Sequence, residues 1–458
     1  MPSAFALKCL VGLVFLYLYT YYYGEGTLSQ DAGAFFHESQ LLNNVFFQSP
    51  GDYFKLIFDQ DPNEELLFKY LGKTEHWQVG KQTFINDSKN LIKFHSVIHF
   101  MSAGQVTIHM MIMSMISLLG IKQMTEAIHW RTSFSKLFVF CALLLFPGLL
   151  FWSSGILKES FMVLGIGFLL RSFLGELSSQ KRIFDLIFGF LILLLFKTSL
   201  VIPILPVLLF LLIYRFAPKF KLASGFFGLT VIAIIMAVSM PSLREQSVHY
   251  LSRKQFDFNN IARGGLHADT DSNFYYFRPD QIADLNLIGD SVELTKPTKA
   301  LILLHGQISD PVPIQLVPNG DKWAIYFQNE ECRGYKPLSP INDSFKQLLI
   351  NIPEALSNAL LRPFPTDKGG VLKFPAMFEM WLFILVLGFA IWQRGIITFE
   401  TKKIVVALVI FCLVLSLLIG WVTPVFGAIV RYRLPVQLAM LIISLLIIRK
   451  FSIKYIYE

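Results

Sequence analysis

Charge is scarce in this chain. Only 16% of its 458 residues are Asp, Glu, Lys or Arg, against about 25% in a typical soluble domain. Hydrophobic residues reach 54% and mean hydropathy is +0.54, values that exclude an ordinary soluble domain and indicate a polytopic membrane protein. Cysteine is scarce too: Cys9, Cys141, Cys332 and Cys412 are scattered, three of them inside apolar runs. That pattern offers neither a disulfide framework nor metal-ligand spacing. The sequence lacks a G-x-S-x-G elbow, a Walker loop and a dinucleotide-binding glycine pattern in a suitable context, which sets soluble nucleotide chemistry aside. It also has no repeat of solenoid period and no low-complexity tract. The net charge of +8 comes from basic residues beside apolar runs, with no basic block interleaved with aromatics. Those residues set topology, and nucleic acid is not an expected partner.

Long apolar runs are what the sequence has instead. Matched to a hydrocarbon core of about 30 Å, they predict an all-α polytopic protein of about ten transmembrane helices: 5–23, 97–119, 136–152, 156–172, 183–197, 200–215, 222–240, 374–392, 404–421 and 433–448. The first run carries one lysine and no small-residue cleavage site, so it reads as a retained signal anchor. The 183–215 stretch is one long kinked helix or two spans, broken near Lys197, Pro203 and Pro206. Lys122, Arg131, Lys136, Arg171, Lys181, Arg182, Arg215, Lys219 and Lys221 fall on one side of these spans. Arg394, Lys402, Lys403, Arg449, Lys450 and Lys454 join them, which makes that side cytoplasmic and leaves both termini inside. Two long loops, 24–96 and 241–373, then lie outside. The expected organisation is a 1–240 bundle with the 24–96 loop, the 241–373 outer region, and C-terminal helices in 374–458. Within the second loop, a Pro318-Asn319-Gly320-Asp321 turn leads to a WAIYF strand. FKQLLINIPEALSNALL follows as an amphipathic surface helix.

Against this background FPGLLFWSSGILKESFMVLG, residues 146–165, is unusual. Lys158 and Glu159 stand side by side between two apolar runs, where each charge at mid-membrane depth would cost roughly 2.5–3.5 kcal/mol. Neighbours in a helix do not face one another, so the pair is poorly placed for mutual neutralisation. Glu159 suits the positive end of a helix dipole and Lys158 opposes it. A lysine there becomes useful when an anion binds, because backbone N–H groups, dipole and ammonium converge on one phosphate. Lys197 lies just before another outer helix start, and Arg431 and Arg433 precede Pro435 in GAIVRYRLPVQ. Arginine adds a planar fork for phosphate oxygens. The alternative is that these four side chains snorkel to the interface or make structural ion pairs.

Asp31, in QDAGAFFHES beyond the first span, is a candidate general base toward an acceptor hydroxyl, with His37 and Glu38 beside it. Its alternative role is a helix cap ahead of AGAFFHESQLL. Asp59-x-Asp61 and Asp269-x-Asp271 have spacings common in polar loops. His95 and His99 share a helix face near His109 but lack an HExxH glutamate. No metal and no cofactor is expected, and a divalent cation has no ligand set in its support.

These residues carry a resemblance. An acid soon after the first span, P-x-x-x-F-W-S-S-G-x-x-K-E at 147–159, R-P-F-P at 362–365 and G-A-x-x-R-Y-R-x-P at 427–435 resemble bacterial polytopic proteins of surface-polysaccharide assembly. The layout is similar to the GT-C class of membrane glycosyltransferases, which use sugars linked to polyprenyl phosphate. In that class an acidic residue of the first outer loop is catalytic and basic residues hold the lipid phosphate. The resemblance therefore implies Asp31 as catalytic carboxylate and Lys158, Arg431 and Arg433 as phosphate contacts. With Lys197 added, and Glu159, His37 and Glu38 in support, it implies sugar transfer from a polyprenyl-phosphate donor to a glycan or lipid acceptor. The expected location is the outer face of a bacterial inner membrane. A polysaccharide polymerase or ligase acting on lipid-diphosphate oligosaccharides, or a lipid or glycan transporter, fits the same features.

Overall fold

The computed structural model describes residues 1–59, 64–72, 74, 76–77, 86–216, 225, 228, 239–265, seven short strands between 274 and 327, and 331–448. Asp61, Asp269, Asp271, the 318–321 turn and nearly all of the 222–240 run lie outside the described residues. So do Lys219, Lys221, Arg449, Lys450 and Lys454. The chain divides into two compact units, one of Met1–Pro218, Phe383–Phe411 and Leu438–Glu458, the other of Lys219–Leu382 and Cys412–Gln437.

The first unit opens with α1 (Pro2–Tyr17), which continues through a π-helical turn, Leu18–Tyr22, as one apolar rod. The first loop then folds into α2 (Gln30–Gln48), α3 (Pro50–Ile57), α4 (Glu64–Leu71) and α5 (Asp87–Ser102). Next come α6 (Val106–Ile128), α7 (Lys136–Leu144), α8 (Pro147–Trp152), α9 (Glu159–Leu174), α10 (Ser179–Phe196) and α11 (Val201–Phe216). Phe15, Phe35, Leu42, Leu91, Met110 and Leu157 belong to one buried cluster. Loop helices and spanning helices thus share a single core.

The second unit contains α12 (Pro241–Ala262) and strands β1 (Phe274–Phe277), β2 (Leu285–Ile288), β3 (Ser291–Leu294), β4 (Lys299–Leu304), β5 (Gln307–Ile308), β6 (Val312–Pro313) and β7 (Ala324–Phe327). One sheet has the order β5-β4-β1-β7, with β6 also on β4, while β2 and β3 form a separate hairpin. The expected WAIYF strand is there as β7, parallel to β1 with Phe274 opposite Ala324. The predominantly helical chain therefore carries a small sheet inside its second long loop, which is a correction to a purely all-α reading. The expected amphipathic helix forms as α13 (Phe345–Ile350) and α14 (Ile352–Leu360), parted at Asn351 ahead of Pro353. The helices α15 (Lys373–Trp392), α16 (Phe399–Val422), α17 (Phe426–Tyr432) and α18 (Leu434–Ile447) complete the chain.

Four described helices are long and apolar enough to cross a membrane: Pro2–Tyr22, Val106–Ile128, Lys373–Trp392 and Phe399–Val422. A fifth arises when α17 and α18, bent by 42°, are taken together. Two expected spans differ in outline. The 97–119 run is cut where Ala103 and Gly104 take left-handed φ values of 47° and 78°, which end α5 and let the span start at Val106. The 136–152 run breaks before Pro147, whose ring disfavours helical backbone at Phe146. The 183–215 stretch forms two helices joined by a 3-10 turn, Thr198–Leu200.

Helices α6 and α9 pack closely through small residues. A Cβ on Gly120 of α6 would lie 2.5 Å from the Val163 carbonyl oxygen of α9, and one on Gly167 would lie 2.5 Å from the Gly120 oxygen. Backbone contact of this kind leaves nothing flexible to move aside. Gly120→Leu is therefore expected to destabilise the protein by about 1–3 kcal/mol or more, read as a lower unfolding temperature in detergent. Gly51→Ala, whose Cβ would meet nothing within 4 Å, should be near neutral, and equal behaviour of the two variants would contradict this packing.

Candidate functional site

Helix α5 lies across one end of the first unit's bundle. Asn90 donates to the Leu195 oxygen at the end of α10 (2.9 Å). Phe94 packs edge-on to Phe161 near the start of α9, and His95 meets His109 at the start of α6, with Nδ1 atoms 3.0 Å apart. Its own start is capped by Asn86, whose side-chain oxygen accepts from the Ser88 and Lys89 amides (both 3.1 Å). The first loop therefore covers the ends from which α6 and α9 begin and at which α10 finishes.

At that end the adjacent charges part company. Lys158, at the N-cap of α9, donates from Nζ to Asp87 Oδ1 and Ser88 Oγ, both at 2.8 Å. Glu159 turns to Lys197, with Oε1 and Nζ 2.9 Å apart in a buried pair. Beside this pair, Phe161 and Phe196 stack with ring centroids 3.8 Å apart. The geometry follows from helical spacing, since residues 158 and 159 point about 100° apart.

The Lys158 ammonium also sits 5.5 Å from the ring centroid of Phe35 on α2, a cation–π distance. The same ring meets the His76 ring at a centroid distance of 5.1 Å, and His76 Nδ1 lies 3.0 Å from Oε1 of buried Glu38. Asp31, Phe35 and Glu38 stand at i, i+4 and i+7 and so share one stripe of α2. Asp31 is half-buried in the first turn, directly after Gln30, which holds a φ of 55°. That left-handed conformation is strained for a residue other than glycine, and such strain gathers at functional sites. The structure thus brings Phe35 to Lys158 and, through His76, to Glu38, with Asp31 one turn earlier on the same helix. His37 is exposed, edge-on to Phe36.

The two arginines belong to the second unit. Arg433 is fully buried at the α17–α18 junction, where its guanidinium donates to the backbone oxygens of Arg362 and Ala376 (2.9 Å for the latter). It thereby holds the R-P-F-P segment, which Asp367, two residues beyond it, braces by accepting from the Arg362 guanidinium and the Phe364 amide. Arg431 is half-buried, with its guanidinium carbon 5.4 Å from the Tyr432 ring centroid.

Several residues here escaped the sequence reading. Lys89 and Lys93, one turn apart on α5, lie 5.1 and 5.7 Å from the ring centroid of buried Trp77, and Lys93 pairs with Asp59 at 2.6 Å. Burial holds the Lys89 ammonium below the usual lysine range, with Asp59 opposing that shift and Lys93 adding to it. Lys93 is lowered too, by burial, against its bond to Asp59. The K-x-x-x-K spacing was the available signal. Lys8, fully buried in α1, donates to Ser153 Oγ (2.9 Å). The neighbouring Ser153 carbonyl accepts from Ser117 and Ser160 (2.8 and 3.0 Å), so serines satisfy the irregular WSSG backbone. His95, His99 and His109 cluster with Ser39 and Ser102. Burial is the main cause holding His95 well below, and His99 below, the ordinary imidazole range. Among the described residues no group of three or more His, Cys, Asp or Glu is arranged to hold a metal.

The Glu159–Lys197 pair makes a direct test possible. Removing one partner leaves a buried charge uncompensated, a loss of about 3–5 kcal/mol, whereas replacing both with apolar residues is often neutral. Glu159→Met is expected to lower the unfolding temperature sharply and Glu159→Met/Lys197→Met to recover most of the loss. A single variant as stable as wild type would contradict the pairing. Compared with known proteins, this chain matches no family model, no curated protein and no solved structure.

Proposed function

We propose that this protein is an integral-membrane glycosyltransferase that moves a sugar from a polyprenyl-phosphate carrier to an acceptor hydroxyl on the extracytoplasmic face. The observation that carries this reading is the grouping of the Asp31–Phe35–Glu38 stripe of α2 with the Lys158 ammonium at the start of α9. An acceptor of protons and a cation for a leaving phosphate are the two groups such a transfer needs. A lysine ammonium has three donors, and Asp87 and Ser88 engage two of those on Lys158. Among the described residues, the third is left for a phosphate oxygen.

In this reading the acceptor oxygen bonds to the anomeric carbon of the donor sugar while the bond from that carbon to the phosphate oxygen breaks. The acceptor's proton passes to the Asp31 carboxylate, and the electron pair leaves with polyprenyl phosphate, steadied by Lys158. Glu38 and its partner His76 position the α2 stripe, as Glu159 and Lys197 position the start of α9. Arg431 and Arg433 belong to the second unit, where Arg433 holds the R-P-F-P segment.

The topology that goes with it has about ten spans, both termini inside, and the 24–96 and 241–373 loops outside a bacterial inner membrane. Support comes from the bundle ends. Arg171, one of the basic residues assigned to the inner side, lies in the last turn of α9, at the end opposite α5, where it forks onto Asp185 of α10 at 2.6 Å and reaches Glu126 of α6 at 3.6 Å.

Asp31→Asn is expected to lower sugar transfer by about 100-fold or more, and Lys158→Ala to reduce it strongly, with both proteins at wild-type abundance. Surface glycan resolved on a gel is the readout. Normal glycan in both variants would overturn the chemistry. Ladders lost as whole blocks, with single-sugar addition intact, would favour the polymerase or ligase reading over a transferase.

A further inference from the structure

Three imidazoles meet where α2, α5 and α6 join, and the transfer proposed above uses none of them. His95 and His99 stand one turn apart on α5, with His109 in the first turn of α6, and all three are buried. His95 Nδ1 and His109 Nδ1 are 3.0 Å apart, Ser102 Oγ lies 2.8 Å from His109 Nε2, and His99 Nε2 lies 3.1 Å from Ser39 Oγ of α2. The His99 and His109 ring centroids are 4.3 Å apart. A bond between two Nδ1 atoms holds one proton, so it requires at least one neutral ring. With both rings charged, two N–H groups face each other across 3.0 Å. Charging His95 alone makes Nε2 a donor whichever tautomer it starts from, and that buried atom has no hydrogen-bond partner among the described residues. The acids of the same layer are engaged elsewhere: Glu38 with His76, Asp59 with Lys93 and Asp87 with Lys158. From α2, the Phe36 carbonyl favours a charge on His99 and exposed His37 opposes it. Tyr53 of α3 meets α5 at Ser96, and α9 contributes the apolar Phe161 ring beside Phe94.

We propose that the three histidines form an acid-triggered latch: when they ionise, α5 parts from α6 and α2, and Asp87 and Ser88 leave Lys158 with it. The latch stands on the contacts of α5 and is independent of what Lys158 binds. Burial holds His95 and His99 below the ordinary imidazole range, so these rings take up protons in the released chain before they do so in the closed one. The closed form is therefore fully favoured above about pH 6.5 and loses its advantage as pH falls below that value. His76 acts in the opposite sense, since a proton there gives Glu38 a cationic partner.

The test is amide hydrogen exchange of the full-length protein in lipid nanodiscs, compared as protection factors at about pH 7.5 and about pH 5. Each α5 imidazole that ionises only after release lowers protection by up to about 30-fold at the lower pH. Wild-type α5 is expected to lose at least about tenfold in protection, while Phe399–Val422 (α16) changes by less than about twofold. His95→Asn/His99→Gln, which keeps bonding groups at the Nδ1 and Nε2 positions without a titrating ring, should lose most of this pH dependence. Where that double variant does not assemble, His99→Gln alone carries the test and should cut the pH dependence by at least about threefold. Acid loosening retained in full by the variant would assign it to other groups and overturn the latch. Equal wild-type protection of α5 at both pH values would overturn it as well.

Discussion

Two adjacent side chains that point apart hold the upper end of the first unit together. Lys158 reaches to the start of α5 through Asp87 and Ser88, and Glu159 reaches to Lys197 at the end of α10. One dipeptide therefore fixes both the loop layer and the neighbouring helix α10 against α9. A buried ion pair adds little net stability over a well-packed apolar pair, but it penalises every arrangement that separates its members. The same is true of Arg171 and Asp185 at the other end of α9 and α10. Ion pairs at both ends set the register of that hairpin, while Gly165 and Gly189 let the backbones approach in between.

Much of the helical architecture was legible because apolar run length is a strong signal in a membrane protein. The rods at Pro2–Tyr22, Lys373–Trp392 and Phe399–Val422 follow expected spans to within a few residues at most ends. The sequence was less informative where an apolar run is interrupted by backbone rather than by charge. Ala103 has no signature of left-handed conformation, and only Gly104 beside it hinted at the end of α5. The helices of the first loop were obscured for another reason. Phe35, Leu42, Leu91 and Ile92 are buried against spans, so the loop reads as mixed aromatic and acidic sequence rather than as an amphipathic solvent-facing layer.

The candidate site was partly legible. Lys158 and Glu159 stood out because charge is expensive between apolar runs, and their separation follows from helical geometry alone. Asp31 stood out by its place after the first span. Their partners did not. Asp87, Ser88, His76 and Lys197 lie between 38 and 71 residues from the groups they touch, a separation that no local pattern encodes, so the neighbours of Lys158 emerge only from the fold. The two arginines illustrate a further limit. A basic pair before a helix start suggests anion binding, yet Arg433 spends its fork on backbone oxygens that the R-P-F-P turn exposes, which is how a buried guanidinium is satisfied inside a protein.

The most direct measurement is an experimental structure in lipid nanodiscs with undecaprenyl phosphate bound. The account predicts the phosphate within hydrogen-bond distance of Lys158 Nζ, with Ser88 still in contact and Asp31 facing the same hollow. Phosphate held at another place, with Lys158 bonded only to Asp87 and Ser88, would contradict it.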